Sequence, residues 1–175
     1  MSGLWELDAT AQAEVVRSGE VSPPELVQAA IDRIERWNDL LNAVVTPLFE
    51  QALERATKRL PSGPFTGVPL LLKDYLCETA GDPYYEGSRF LRCLGWRSPA
   101  DSHLARRFRN AGFVVLGKTN LPEFAASPTT EPAAFGATRS CSRTSGARIS
   151  SSGWPHSWRK RVRGRIAGRI VGFSG

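Results

Sequence analysis

Apolar residues recur along this chain in two rhythms. Leu26, Val27, Ala30, Ile31, Ile34 and Trp37 return at intervals of three and four residues, which predicts one helix with a core-facing stripe. Ser22-Pro23-Pro24-Glu25 marks its start: serine at the N-cap, proline at the first helical position, glutamate at the third. A shorter helix is expected before it, from Ala9 to Arg17, capped by Asp8 and ended at Gly19. Residues 41–46 read as a short strand. Pro47 is expected to open a third helix that reaches about residue 60 through Leu48, Phe49, Ala52, Leu53 and Ala56. Asp101-Ser102 predicts the cap of a further helix carrying Leu104, Ala105 and Phe108 and stopping at Gly112. His103 falls in its first turn, where a histidine is more often solvated than a ligand or a base.

The second rhythm is unbroken. Gly67-Val68-Pro69-Leu70-Leu71-Leu72 is dense enough to predict a short strand buried on both faces. Phe113-Val114-Val115-Leu116 predicts a second buried strand, followed by a helical turn at Pro122-Glu123-Phe124. Turn residues separate these runs at 61–64, 80–83 and 86–88. Helices alternating with such strands predict an α/β fold with a mixed sheet flanked by helices. The first run delivers Lys73 and Asp74 where the chain leaves the core. Burying an ammonium is costly unless it is paired or gives up its proton. Lys73 is therefore either a strand-end residue reaching water or a tuned base.

Charge divides the chain in two. The net charge is +6, yet eight of the 23 basic residues lie within 140–175, where there is no acid. The remaining 15 basic and 17 acidic residues leave residues 1–139 at −2. Two segments follow, 1–139 and a basic 140–175. The latter could offer cations and tryptophans to nucleic acid through Trp158-Arg-Lys-Arg-Val-Arg-Gly-Arg165, or be plain disordered charge. No run approaches the roughly 18 apolar residues of a membrane span. No basic-then-apolar leader opens the chain. Cys77, Cys93 and Cys141 have no metal spacing, and an odd count of thiols suits a reducing cytoplasm. The expectation is a cytoplasmic protein with no membrane partner.

One motif misleads. Gly112-Phe-Val-Val-Leu-Gly117-Lys118-Thr119 fits the phosphate-loop pattern, which would make this an NTP-binding domain. That loop needs flexible residues between its glycines so that backbone N–H groups can wrap phosphates. Phe, Val, Val and Leu favour a strand instead, and Pro122 blocks the long helix that should follow.

Several segments together resemble the amidase signature family. They are Gly67-Val-Pro-Leu-Leu-Leu-Lys73-Asp74, Gly87-Ser88, Asp101-Ser-His-Leu with Arg106-Arg107, and Gly112 to Asn120 with Pro122-Glu-Phe124. Thr129-Thr-Glu-Pro132 and Phe135-Gly-Ala-Thr-Arg139 complete the series. The resemblance covers about residues 4–139, as the N-terminal portion of an amidase domain. The opening residues are most similar to a branch acting on cyclic oligoamides. The resemblance implies hydrolysis of a carboxamide, with a linear or cyclic oligoamide as the expected substrate, by a Ser–cis-Ser–Lys triad without a cofactor. Lys73 matches the family's catalytic lysine, and burial should depress its pKa. Lys118 also matches a family position, with no chemical step assigned to it.

Beyond Arg139 the resemblance lapses. The family's Gly/Ser-rich loop with its cis serine is not recognisable, nor is the later Gly-Gly-Ser-x-Arg-x-Pro stretch with the nucleophile. By count from Lys73, Ser151 falls where the cis serine belongs, and Ser174 near the nucleophile's place. Arg148-Ile-Ser-Ser-Ser152, written CGG ATC AGC AGC AGC and read one base later, becomes Gly-Ser-Ala-Ala-Ala. A frameshifted, truncated and inactive amidase is the resulting expectation.

Overall fold

The computed structural model describes residues 3–132 and 134–136. Asp8 accepts the Ala11 N–H at 2.9 Å and starts α1 (Ala9–Arg17). Glu25 accepts both the backbone N–H and the hydroxyl of Ser22, at 2.8 and 2.6 Å, and so fixes the start of α2 (Pro23–Leu41). β1 (Val44–Pro47) and α3 (Phe49–Thr57) follow. Then come β2 (Pro69–Lys73), the short α4 (Arg89–Cys93), α5 (His103–Asn110) and β3 (Val114–Thr119). Single 3-10 turns occupy Leu4–Glu6 and Glu123–Ala125.

The three strands form one mixed sheet in the order β1-β3-β2. β1 runs antiparallel to β3, and β2 runs parallel to it. Helices cover both faces. On one, Val27 and Ile31 of α2 and Ala52 and Ala56 of α3 pack with Val114 and Leu116. On the other, Ala105 and Phe108 of α5 meet Leu70, Leu72, Cys77 and Val115. Each fully buried Val, Ile or Leu contributes about 1.5–3 kcal/mol, so these two layers account for the placement of the sheet.

Three expectations need correcting. β2 is not buried on both faces: Leu72 is buried, but Pro69, Leu70 and Leu71 are half-buried and Lys73 is exposed. Within the described residues β2 is an edge strand, hydrogen-bonded on one side only. Pro47 does not open a helix. It ends β1 opposite Gly117, where a residue without an N–H is tolerated at a sheet margin, and α3 starts at Phe49 and ends at Thr57. Trp37 is 38% exposed, with the Arg36 guanidinium over its ring, and does not complete the buried stripe. The expected cap of α5 is found at Ser102, which accepts the Ala105 N–H. Asp101 accepts the Ala80 N–H at 2.7 Å and pairs with Arg109 at 3.1 Å.

The false phosphate loop is a strand and its entry turn. Gly112 has φ +95°, and a Cβ there would lie 2.6 Å from Thr66 Cα. At Gly117 a Cβ would lie 2.5 Å from the carbonyl oxygen of Thr46 on the neighbouring strand. Close backbone approach accounts for both glycines, and Lys118 faces the interior rather than a ligand.

Candidate functional site

The residues of interest gather at the carboxyl ends of the parallel pair β2 and β3. Leu72 pairs with Lys118 and Lys73 with Thr119. Beyond the pairing, Asp74 donates its N–H to Thr119 O at 3.4 Å. Side chains alternate along a strand, so Lys73 and Asp74 part company. Lys73 is exposed, and Asp74 is fully buried. The expected burial of Lys73 is not found: on an edge strand its side of the sheet is open among the described residues.

Lys118 is the buried lysine, with 0% exposure. Its Nζ lies 4.8 Å from the centroid of the Tyr84 ring, a cation–π contact. Nζ meets no hydrogen-bond acceptor among the described residues. Burial lowers the pKa of this ammonium, opposed by the charges of Asp74 and then Asp82. Burial raises the Asp74 carboxyl to about 6, opposed by the Lys118 charge and by the backbone N–H groups of Tyr85 and Glu86. The Tyr85 N–H reaches both Asp74 oxygens, at 3.3 and 3.2 Å.

Tyr84 completes the cluster. Its hydroxyl accepts the Leu76 N–H at 2.9 Å and donates to Glu86 at 2.6 Å. Burial, reinforced by the Glu86 bond, pushes the phenol well above its ordinary value. Leu76, two residues after Asp74, has φ +56°. This conformation is uncommon for a non-glycine side chain, and the Tyr84 bond supports it. The loop behind holds the motif residues Gly87 and Ser88. A Cβ on Gly87 would lie 2.9 Å from Leu121 O, and Ser88 is buried. Asn120 donates its side-chain amide to Asn42 O and Gly136 O, each at 3.2 Å, and ties the end of β3 to the last described residues.

Sequence reasoning picked out Lys73 and left Lys118 without a role. It overlooked Tyr84 and Glu86 as partners, since neither stands in a short motif. Ser151 and Ser174 lie outside the described residues, as do the basic residues of 140–175. No helix among the described residues is long and apolar enough to cross a membrane.

Comparison with known proteins bears on this cluster. A family model described as Amidase matches residues 25–154. The chain is 50% identical over 136 residues to the 6-aminohexanoate-cyclic-dimer hydrolase of Paenarthrobacter ureafaciens, covering 78% of this chain and 27% of that protein. It is 44% identical over 145 residues to one subunit of the glutamyl-tRNA(Gln) amidotransferase of Salinispora arenicola, covering 79% of this chain and 29% of that one. A solved structure of 6-aminohexanoate cyclic dimer hydrolase complexed with substrate superposes with a TM-score of 0.73 at 48% identity, over 78% of this chain and 28% of that one. The chain thus spans about a quarter of the length of the relatives it matches.

Proposed function

Because this chain belongs to the amidase family, we propose that it carries the lysine-bearing part of an amide-hydrolysing site, with Lys73 as the base. The observation behind this is the placement of Lys73. It stands exposed at the carboxyl end of β2, next to the buried Asp74, whose carboxylate accepts the Tyr85 N–H.

In the proposed chemistry a neutral Lys73 amine takes a proton relayed through a bridging serine from a second, nucleophilic serine. The serine oxygen bonds to the amide carbonyl, the C–N bond breaks, and the amine leaves with a proton. Water then attacks the acyl-serine and releases the acid. Ser151 is the proposed bridging serine. The substrate class is a cyclic or linear oligoamide, in line with the activity for which the 6-aminohexanoate-cyclic-dimer hydrolases are named. Lysine is a base only when neutral. Since the sequence has no Gly-Gly-Ser-x-Arg-x-Pro stretch, we further propose that the 175-residue chain does not turn over amides unaided. On the same reading residues 1–139 are the amidase portion, and 140–175 reflect a shifted reading frame.

Two assays test this. The purified chain is incubated with cyclic and linear 6-aminohexanoate dimers while amine release is followed, and no turnover above background is expected. Turnover abolished by Lys73→Ala would overturn the claim of inactivity. Next, residues 4–139 replace the matching segment of the Paenarthrobacter hydrolase. The chimera should hydrolyse the dimer, and Lys73→Ala should lower kcat by about 10³-fold or more. A chimera indifferent to Lys73→Ala removes the lysine from the mechanism.

A further inference from the structure

Three hydrogen bonds clamp the chain just beyond Lys73. Asp74 donates its N–H to Thr119 O, its carboxylate accepts the Tyr85 N–H, and the Leu76 N–H donates to the Tyr84 hydroxyl. Lys118, on the central strand, is fully buried with its Nζ 4.8 Å from the centroid of the Tyr84 ring, and its charge acts on the buried Asp74 without a direct ion pair to it. Leu72, the residue before Lys73, is the register partner of Lys118. The cation attracts both the Asp74 carboxylate and the face of the aromatic ring.

We propose that Lys118 is a positioning residue for Lys73: from the central strand it holds Asp74 and Tyr84 together, fixing residues 74–76 and hence the direction in which Lys73 leaves β2. A methionine would fill much of the same volume but would leave a buried carboxylate facing no cation. Asp74 would then take up a proton, and its grip on the Tyr85 N–H would slacken. The significance for catalysis rests on the reading of Lys73 as the base, but the coupling itself is measured without substrate. Failure here would leave that reading standing, and failure of Lys73→Ala in the chimera would leave this coupling standing.

The full 175-residue chain contains four lysines, Lys58, Lys73, Lys118 and Lys160, so ¹³Cε-lysine labelling yields one resolvable signal for each. Expected on Lys118→Met is a moved Lys73 signal with a changed pH profile, and amide exchange at Leu76 and Tyr85 at least about tenfold faster. Amides of α1 should stay as they are. Asp74→Asn should move the Lys73 signal in the same way, and the double variant should add nothing to either single one. A side chain that merely fills space would give additive changes and leave Lys73 untouched by Asp74→Asn. An unmoved Lys73 signal in Lys118→Met overturns the proposal. Should Lys118→Met not fold, Asp74→Asn and Tyr84→Phe decide the matter. Both are expected to shift the Lys73 signal, and an unchanged signal in both overturns it.

Discussion

β2 and β3 are neighbours, run in parallel, and each carries a lysine at its carboxyl end, yet they meet opposite fates. Pro69 to Lys73 is the more apolar run and is only half-buried, with its lysine in solvent. Val114 to Thr119 contains a glycine and a lysine, and its lysine is fully enclosed. Position in the sheet decides the difference. β3 has strands on both sides and helices on both faces, whereas β2 has a neighbour on one side only among the described residues. Hydropathy shows that a segment wants burial, and topology determines whether it gets it.

The sharpest way to break this comparison is to delete each lysine from the 175-residue chain and follow urea unfolding. Lys118→Met should cost on the order of 3 kcal/mol, because a fully buried side chain loses its contact with the Tyr84 ring and Asp74 loses a favourable nearby charge. Lys73→Ala should stay within about 0.5 kcal/mol. Equal midpoint shifts would erase the distinction. The apolar residues extend it. Leu116→Ala should cost about 2–5 kcal/mol through lost burial and a cavity, and Leu70→Ala on β2 about 1 kcal/mol. A larger loss at Leu70 would mean that β2 is better covered than the described residues show.

The pH dependence comes next in size. The folded Asp74 carboxyl titrates at about 6, above its ordinary 3.8. The folded state therefore binds this proton more tightly than the unfolded chain does. The contribution of this group is greatest below pH 4 and is lost as pH rises through 6, by on the order of 2–3 kcal/mol. Asp74→Asn should flatten that slope when Tm is measured from pH 4 to 7, and a slope left intact would place the titration elsewhere. The smallest perturbation is chemical. A trace of an amine-acylating reagent should modify Lys73 at about the rate of the exposed Lys58, and Lys118 at least about 100-fold more slowly, since Lys118 requires an opening event. Comparable labelling of Lys118 in mass spectra would contradict its burial.

Local signals in the sequence were strong where the physics is local. The Ser22–Glu25 box, the Asp8 cap and the apolar stripe through Ile31 need only near neighbours, and the helices stand where those residues put them. The mixed α/β sheet was likewise readable from the two apolar runs. Lys73 could be found by motif, but its exposure could not, because edge position depends on pairings made more than 40 residues away. The setting of Lys118 was hidden by a different device. Leu70 pairs with Val115 and Leu71 with Gly117, so Leu116 is skipped. That irregularity breaks the alternation which would have grouped Lys118 with Val114 and Leu116. Tyr84 lies in a loop with no period at all, and only the folded chain brings its ring under the ammonium.

The crossing of Gly67 and Gly112 has a kinetic meaning as well. Gly67 N–H donates to Gly112 O and Phe65 N–H to Ala111 O, each at 2.9 Å, and the Phe65 and Phe113 rings stack at 4.6 Å. This is where β2 and β3 begin, and closing it encloses a loop of about 45 residues. The entropy of that closure is about 3 kcal/mol, due before any of the parallel pairing is gained. The helices can form and dissolve many times while the two glycines are apart. The parallel pairing is therefore expected to wait on the meeting of these two points, at a joint with no room for one extra carbon atom.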